Sequence, residues 1–250
     1  MDLVSGEHLK QIPGAFILFS CAFCISYVYV GAVWGLRGER RGMLGACAAS
    51  LLHGLVTATL SAQQLAHWPV VVDATNSHAE NLTLQISTAY MLTDSLLFLL
   101  PFTPTDVLFI GHHIMTTTYM VQSLLLQRGA QSALVLILLG ELTSPLQNLW
   151  YFARYLKDRS QVAARAFALI SPVYTYIYLL VRSGIAPPAV VWLAYALVTS
   201  DGRIAPGYRW TWAVFAVLGT LGSQVWCYKL YRGLLKHSRA QRAQKAAKAV

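Results

Sequence analysis

The stretch TDVLFIGHHIMTTTYMVQSLLLQ, residues 105–127, decides how this chain folds. It contains no Lys or Arg, and its 23 residues exceed the ~20 that a helix needs to cross the hydrocarbon core of a bilayer. A β-strand is usually shorter than about 10 residues, so an apolar run of this length favours a helix. The stretch therefore predicts a membrane-spanning helix that buries two adjacent histidines, His112 and His113.

The chain as a whole has the composition of a membrane protein. Hydrophobic residues make up 56% of the 250 residues and charged residues only 12%, whereas soluble domains carry about 25% charged residues. We therefore predict a single-domain, all-α polytopic membrane protein with about seven spans. The six further apolar runs are 13–36, 43–66, 84–101, 131–155, 162–182 and 207–231.

A shorter apolar segment, residues 187–200, leaves the number of spans open. Its 14 residues are too few to cross a bilayer as a regular helix. Pro187 and Pro188 remove two helical donors, so we expect a break there. Three alternatives remain: a re-entrant segment, a kinked extension of the sixth span, or a short eighth span.

The distribution of charge predicts the orientation of the spans. The formal net charge is +9, and basic residues gather in 37–41, in 157–165 and in the C-terminal tail. Residues 67–83 contain no Lys or Arg, and they include the sequon Asn81-Leu82-Thr83, whose glycosylation requires luminal exposure. The positive-inside rule then places the N-terminus in the lumen and the C-terminus in the cytosol. We expect the tail to continue the last helix and to contact anionic headgroups rather than nucleic acid.

The cysteines and histidines do not form a redox or metal motif. All four cysteines lie inside apolar runs, which predicts small buried thiols. Only His53, His112 and His113 lie in spans, too few for the clustered histidines of a membrane di-iron enzyme. We therefore expect neither a metal site nor a cofactor. The cysteines are Cys21, Cys24, Cys47 and Cys227.

Ionisable side chains inside the spans are costly and mark candidate functional positions. At about 1.5 Å per residue, Asp94 and Asn148 lie at the depth of His112. We predict that Asp94 is within hydrogen-bond or single-water reach of His112 or His113 and holds the imidazole tautomer. The ionisable residues are His53, Asp94, His112, His113 and Glu141, with Tyr90, Thr116, Ser144 and Asn148 as polar neighbours. Hydrogen bonds between helices are the simpler explanation for Thr116 and Ser144.

Four pieces of this sequence, in their order and spacing, resemble the TLC-domain family. That family includes the ceramide synthases, the translocating-chain-associated membrane proteins and the neuronal-lipofuscinosis protein. The last piece resembles the signature of the family's non-synthase branch. The pieces are Ser50-Leu-Leu-His53, Tyr90-Met-Leu-Thr-Asp94, the run from Asp106 through His112-His113-Ile-Met-Thr116, and Glu141-Leu-Thr-Ser144-Pro145-Leu-Gln-Asn148.

The resemblance implies an architecture and a location. A six-helix TLC barrel would follow one extra helix and enclose a cavity for a lipid or acyl chain. Residues 1–40 would form the N-terminal helix and its basic loop, 41–235 the TLC domain, and 236–250 a cytosolic tail. The endoplasmic reticulum is the expected membrane, and a homodimer is left open. The polar lining of the cavity would be His53, Tyr90, Thr116, Glu141, Ser144 and Asn148.

The resemblance also implies two alternative functions within lipid metabolism. The first is membrane-lipid homeostasis by binding a lipid or acyl chain in the barrel. The second is acyl-CoA-dependent N-acyl transfer of the ceramide-synthase type, with His112 or His113 as nucleophile or base and Asp94 orienting it. Ceramide synthases carry a second acid where this chain has Ser144, so the first function is favoured. An assembly or cargo receptor is a third hypothesis.

Overall fold

A computed structural model describes residues 9–66, 69–98 and 107–247. Within these residues the chain forms nine α-helices and one π-helical segment. The helices are α1 (Ile12–Trp34), α2 (Gly38–Gln64), α3 (His78–Phe98), α4 (Val107–Leu126), α5 (Ala130–Glu141), α6 (Ser144–Leu156), α7 (Gln161–Leu179), α8 (Ala186–Thr199) and α9 (Pro206–Ala247), with the π segment Leu180–Ile185 between α7 and α8. The predicted end of the third span and Asp106 lie outside the described residues.

The helices combine into seven runs, which confirms the prediction of an all-α polytopic membrane protein. The helices α5 and α6 form one run, as do α7, the π segment and α8. Four runs are long and apolar enough to cross a membrane by length and composition: Ile12–Trp34, Gly38–Gln64, Ala130–Leu156 and Gln161–Thr199. The helix α9 continues through the basic tail to Ala247, as predicted.

Six of the seven runs form a closed ring. In order around the ring, α2 contacts α3, α3 contacts α4, α4 contacts α9, α9 contacts α8 and α7, α7 contacts α6, and α6 returns to α2. The helix α1 packs on α2 and α3 from outside and buries only Phe19 and Val30. Its other apolar side chains are either partly buried against the ring or exposed, as expected for a helix with lipid on its outer face.

The fifth run is interrupted, although the sequence predicts one continuous helix over 131–155. The helix α5 ends at Glu141, and α6 begins at Ser144 with Pro145 in its first turn. Proline has no N–H, and its ring clashes with the carbonyl four residues earlier, here that of Glu141. The interruption leaves the carbonyl of Gly140 available to a side chain from another helix.

The sixth run settles the alternatives for residues 187–200, because that segment is an extension of the sixth span. The backbone stays helical from Gln161 to Thr199. Pro187 lies in the first turn of α8, directly after the wide π turn, where a missing N–H is tolerated. The expected break is therefore a local widening of the helix rather than a chain reversal.

The prediction that all four cysteines are buried is wrong for two of them. Cys47 and Cys227 are buried, whereas Cys21 and Cys24 are exposed on α1. The reason is the peripheral position of α1, since an apolar residue there faces lipid rather than the packed interior.

Candidate functional site

A cavity opens between α3, α4, α5, the π segment, α8 and α9. It contains about 920 Å³ of space not filled by protein atoms, including space open to the outside. Its lining includes the ionisable side chains of His112, Glu141 and Arg182.

The cavity has a polar end and an apolar end. His112 lies in the second turn of α4, and Glu141 is the last residue of α5. Because α4 and α5 are connected by a tight turn and run in opposite directions, these residues lie at the same end of the cavity. Toward the other end the lining becomes apolar and aromatic, with Met91, Tyr119, Met120, Ala133, Leu136, Ile137, Val190 and Phe215.

The histidine pair divides between the cavity and the helix packing behind it. His112 is exposed to the cavity, and its Nδ1 lies 3.5 Å from Thr116 Oγ1. His113 is buried, with its Nε2 3.5 Å from Asp94 Oδ2 and its Nδ1 3.3 Å from Ser95 Oγ. The predicted contact between Asp94 and the pair is therefore present, and it is made by His113.

A second histidine–carboxylate pair joins α2 to α5. His53 is completely buried, with its Nδ1 3.6 Å from Glu141 Oε2 and its Nε2 3.0 Å from Ser87 Oγ. Its ring stacks on Tyr90 with centroids 4.0 Å apart, and Phe19 of α1 meets the same ring edge-on. Glu141 thus has two roles, since one oxygen meets His53 and the carboxylate also lines the cavity.

Gly54 allows this close contact between α2 and the α5–α6 break. A Cβ atom at position 54 would lie 3.1 Å from both Glu141 Oε2 and Ser144 Cβ. That spacing is tighter than ordinary van der Waals contact, so a larger residue would push α2 away. The absence of a side chain at Gly54 therefore helps to bring His53 to Glu141.

Arg182 is a functional candidate that sequence reasoning missed. It lies in the π segment, lines the cavity, and donates hydrogen bonds to the carbonyl of Gly140 and to Thr143 Oγ1. A cation there also complements the negative end of the α5 dipole. The sequence placed Arg182 at the end of a span, where a basic residue is ordinary. The signal that could have found it is the mainly apolar sequence on both sides of residue 182, Ile177–Val181 before it and Ile185–Leu193 after it.

Comparison with known proteins gives the family. The family model for the TLC domain matches residues 16–232. This chain belongs to the TLC-domain family. It is also similar to a TLC domain-containing protein of Arabidopsis thaliana, with 29% identity over 97% of this chain and 97% of that relative. The family match begins within α1 and ends within α9, so it covers the whole ring and the cavity.

The pieces of sequence that resemble TLC domains meet in space. Asn148 Nδ2 donates to Ser50 Oγ over 2.9 Å, which joins the fourth piece to the first. His53 joins the first piece to Tyr90 of the second and to Glu141 of the fourth. The contact of Asp94 with His113 joins the second piece to the third. The motifs of this TLC domain therefore form one polar network around α2 and α3.

Only part of the predicted polar lining faces the cavity. Thr116 and Glu141 line it, together with His112. His53, Tyr90 and Asn148 are buried in the network behind it, and Ser144 Oγ lies 3.5 Å from the carbonyl of Gly140. The sequence predicts the depth of these residues in the membrane but not which of their side chains line the cavity.

The structure corrects the expectation that Asn81 lies in an open loop. Asn81 belongs to the first turn of α3 and is only 8% exposed. Its Nδ2 donates to Gln127 Oε1 over 2.8 Å, and its Oδ1 accepts from Asn76 Nδ2 over 3.0 Å. The Nδ2 atom that a glycan would modify is thus already engaged in the packing of α3 against the end of α4. Asn81 is therefore a packing residue in the folded chain.

Proposed function

We propose that this TLC-domain protein acts in membrane-lipid homeostasis by holding a lipid or acyl chain in its central cavity. The observation that carries the proposal is the amphipathic lining. His112, Glu141 and Arg182 stand at one end, and the methionine, leucine and aromatic side chains follow toward the other. A molecule with a polar head and an apolar chain matches both ends at once.

The polar end should determine which lipid is held. An acyl chain gains little by moving from bilayer to cavity, because lipid tails are as apolar as the leucine side chains that line it. A headgroup gains more, because Arg182 and Glu141 offer charged hydrogen-bond partners in a medium of low dielectric. Both side chains line the cavity, so each charge can meet a ligand group.

The test fills the cavity and counts the bound lipid. Ala216 lines the cavity and is buried, whereas Ala164 is exposed on α7. We expect lipid that co-purifies with the protein in mild detergent to fall at least about fivefold in Ala216→Phe, as when a site is occluded. Ala164→Phe, the matched control, should retain it. Native mass spectrometry of both folded variants measures the bound lipid, and equal occupancy would overturn the proposal.

The position of His112 favours acyl transfer as a second candidate function. Its ring is accessible at the polar end of the cavity, next to His113, which Asp94 contacts. In this candidate a histidine acts as nucleophile or general base toward acyl-CoA. Purified protein would be supplied with acyl-CoA of several chain lengths and a sphingoid base. N-acyl product that disappears in His112→Ala and His113→Ala supports this candidate, and absence of product at every chain length rejects it.

We also propose residence in the endoplasmic reticulum with a cytosolic C-terminus. The support is the clustering of basic residues at 37–41, at 157–165 and along the end of α9. Those regions lie on one side of a seven-span chain. Protease treatment of sealed microsomes should remove an epitope placed after Val250. A fully protected epitope would reverse the orientation.

A further inference from the structure

A second, separate groove lies on the outer surface of the ring. It is an open depression formed by one face of α1, by Ala48 of α2 and by the last turns of α6. Its lining is almost entirely apolar: Ala22, Ile25, Ser26, Tyr29, Val30, Trp34, Ala48, Phe152 and Leu156. The lining shares no residue with the central cavity, and its walls face the surrounding bilayer.

One end of this groove lies at a concentration of positive charge. Trp34 and Leu156 are the groove residues nearest the ends of α1 and α6. Arg159 donates a hydrogen bond to the carbonyl of Trp34, so its guanidinium lies directly at that end. Arg37 is exposed three residues after Trp34. Residues 37–41 and 154–159 together hold six basic side chains against Glu39 and Asp158.

Three of the other basic side chains near this end point elsewhere. Arg41 lies across the opposite flank of α1, with its guanidinium 3.9 Å from the Tyr27 ring and its Nε bonded to the Tyr27 carbonyl. Arg154 lies over Trp150 and Lys157 over Phe167, both toward α7. This leaves Arg37, Arg40 and Arg159 to meet a headgroup; Arg159 is bonded at the end of the groove, and Arg37 is the nearer of the two exposed arginines to Trp34 in the sequence.

We propose that the groove between α1 and α6 binds an anionic phospholipid of the surrounding bilayer. An acyl chain lies along the apolar face of α1, and the phosphate meets Arg159 and Arg37 at the membrane surface. Arg donors match phosphate oxygens in number and geometry. Trp34 and Tyr29 have the amphipathic rings that are enriched at the level of headgroups.

Charge complementarity favours an anionic lipid over a zwitterionic one. Basic pockets between helices on the cytoplasmic side attract anionic headgroups, and each Lys or Arg near the surface contributes roughly fivefold to the affinity. A zwitterionic headgroup would place its ammonium among the same arginines and lose that gain. The apolar depth of the groove requires a chain, so a free phosphate satisfies only half of the site.

The experiment compares lipids that differ only in headgroup. Full-length protein in mild detergent is titrated with dioleoyl phosphatidic acid, with dioleoyl phosphatidylcholine, and with glycerol phosphate, which has no chains. Native mass spectrometry counts the adducts. We expect phosphatidic acid to bind at least about tenfold more tightly than phosphatidylcholine, given two arginines at the site. Glycerol phosphate should not compete.

Paired variants assign the adduct to the groove. The double variant Arg37→Gln/Arg159→Gln should lose most of the preference, and Ala48→Phe, which fills the groove, should lose the adduct. Arg154→Gln/Lys157→Gln removes the same charge from the same end and should retain both. Ala216→Phe blocks the central cavity and should also retain the groove lipid, which separates this site from the proposed function.

Several results would overturn the proposal. Equal binding of the two phospholipids would show that charge does not select the ligand. Equal losses in the two double variants would indicate general attraction to the basic end. Binding of glycerol phosphate as tightly as phosphatidic acid would indicate a site for a free anion. Loss of the adduct in Ala216→Phe would place the lipid in the central cavity.

Discussion

Two histidine–carboxylate pairs lie in the polar network of this TLC domain, and their surroundings differ. His53 and Glu141 join α2 to α5, and His53 is sealed between Tyr90, Phe19 and Ser87 with no exposed surface. His113 and Asp94 join α3 to α4, directly behind the accessible ring of His112. The His53–Glu141 pair thus links two helices inside the packed interior, whereas the His113–Asp94 pair lies beside the cavity.

The difference shows that a costly intramembrane charge has more than one explanation. A buried carboxylate that meets a histidine can hold two helices together, since neither group finds a partner in lipid. A histidine that faces open space has no such role in packing. We therefore expect substitutions at the first pair to affect folding most, and substitutions at His112 to affect the ligand most.

The largest loss of stability is expected from His53→Leu. The change leaves Glu141 without its histidine partner, and breaking a buried pair on one side costs about 3–5 kcal/mol. Unfolding by denaturing detergent in mixed micelles measures the loss. The double variant His53→Leu/Glu141→Leu should recover part of the stability, because no unpaired charge remains. A loss of stability as large or larger in the double variant would contradict the interpretation that this pair holds α2 to α5.

A smaller loss is expected from Asp94→Leu at the second pair. His113 keeps its contact with Ser95 and loses only the carboxylate, so the free energy of unfolding should fall by about 1–3 kcal/mol. Asp94→Asn retains a hydrogen-bonding oxygen of the same shape and should lose less. The same unfolding assay ranks the two variants. A loss equal to that of His53→Leu would erase the distinction between the pairs.

Tyr90→Phe should reduce stability by about 0.6 kcal/mol, the average for a polar contact between membrane helices. The substitution keeps the ring that stacks on His53 and removes only the hydroxyl beside Asp94. Tyr90→Leu removes the stacked ring as well and should cost more. The difference in unfolding free energy between these variants measures the stack, and no difference would show that the ring contact contributes nothing.

The smallest effect on stability is expected from His112→Ala, within about 0.5 kcal/mol, as for other accessible side chains. Its effect on lipid binding should be large, because a polar partner of the headgroup is gone. We expect the amount of co-purified lipid to fall several-fold. Thr59→Val, at an exposed position of α2 outside the lining, is the matched control. Normal lipid occupancy together with lowered stability would assign His112 to packing.

The fold was largely predictable because apolar length and basic loops act over whole segments. Seven runs and the helical continuation of the tail follow from composition alone. The interruption at Pro145 and the π turn before Pro187 were not resolved, since proline predicts a disturbance but not its form. Both depend on which neighbouring helix satisfies the released backbone groups.

The sequence predicted the depth of the candidate site residues in the membrane, but not the direction in which each side chain points. Spacing from the span ends placed Asp94 beside the histidine pair, and the structure brings Asp94 to His113. Spacing could not show that His53 turns away from the cavity or that Asn148 bonds Ser50. Arg182 was missed because its role depends on a carbonyl freed by a break in another run. Side-chain direction is set by tertiary packing, which one-dimensional periodicity does not contain.

The peripheral position of α1 has a consequence for how the chain is made. This helix leaves the ribosome before α2, and because many of its apolar side chains are exposed, it is stable in lipid before α2 is made. The helix α2 follows with His53, whose partners Ser87 and Glu141 are synthesised later. Phe19 of α1 meets His53 edge-on in the folded chain, and Phe19 precedes both of those partners in the sequence. The outermost helix can therefore act as an internal chaperone during insertion, shielding a polar side chain until the ring closes.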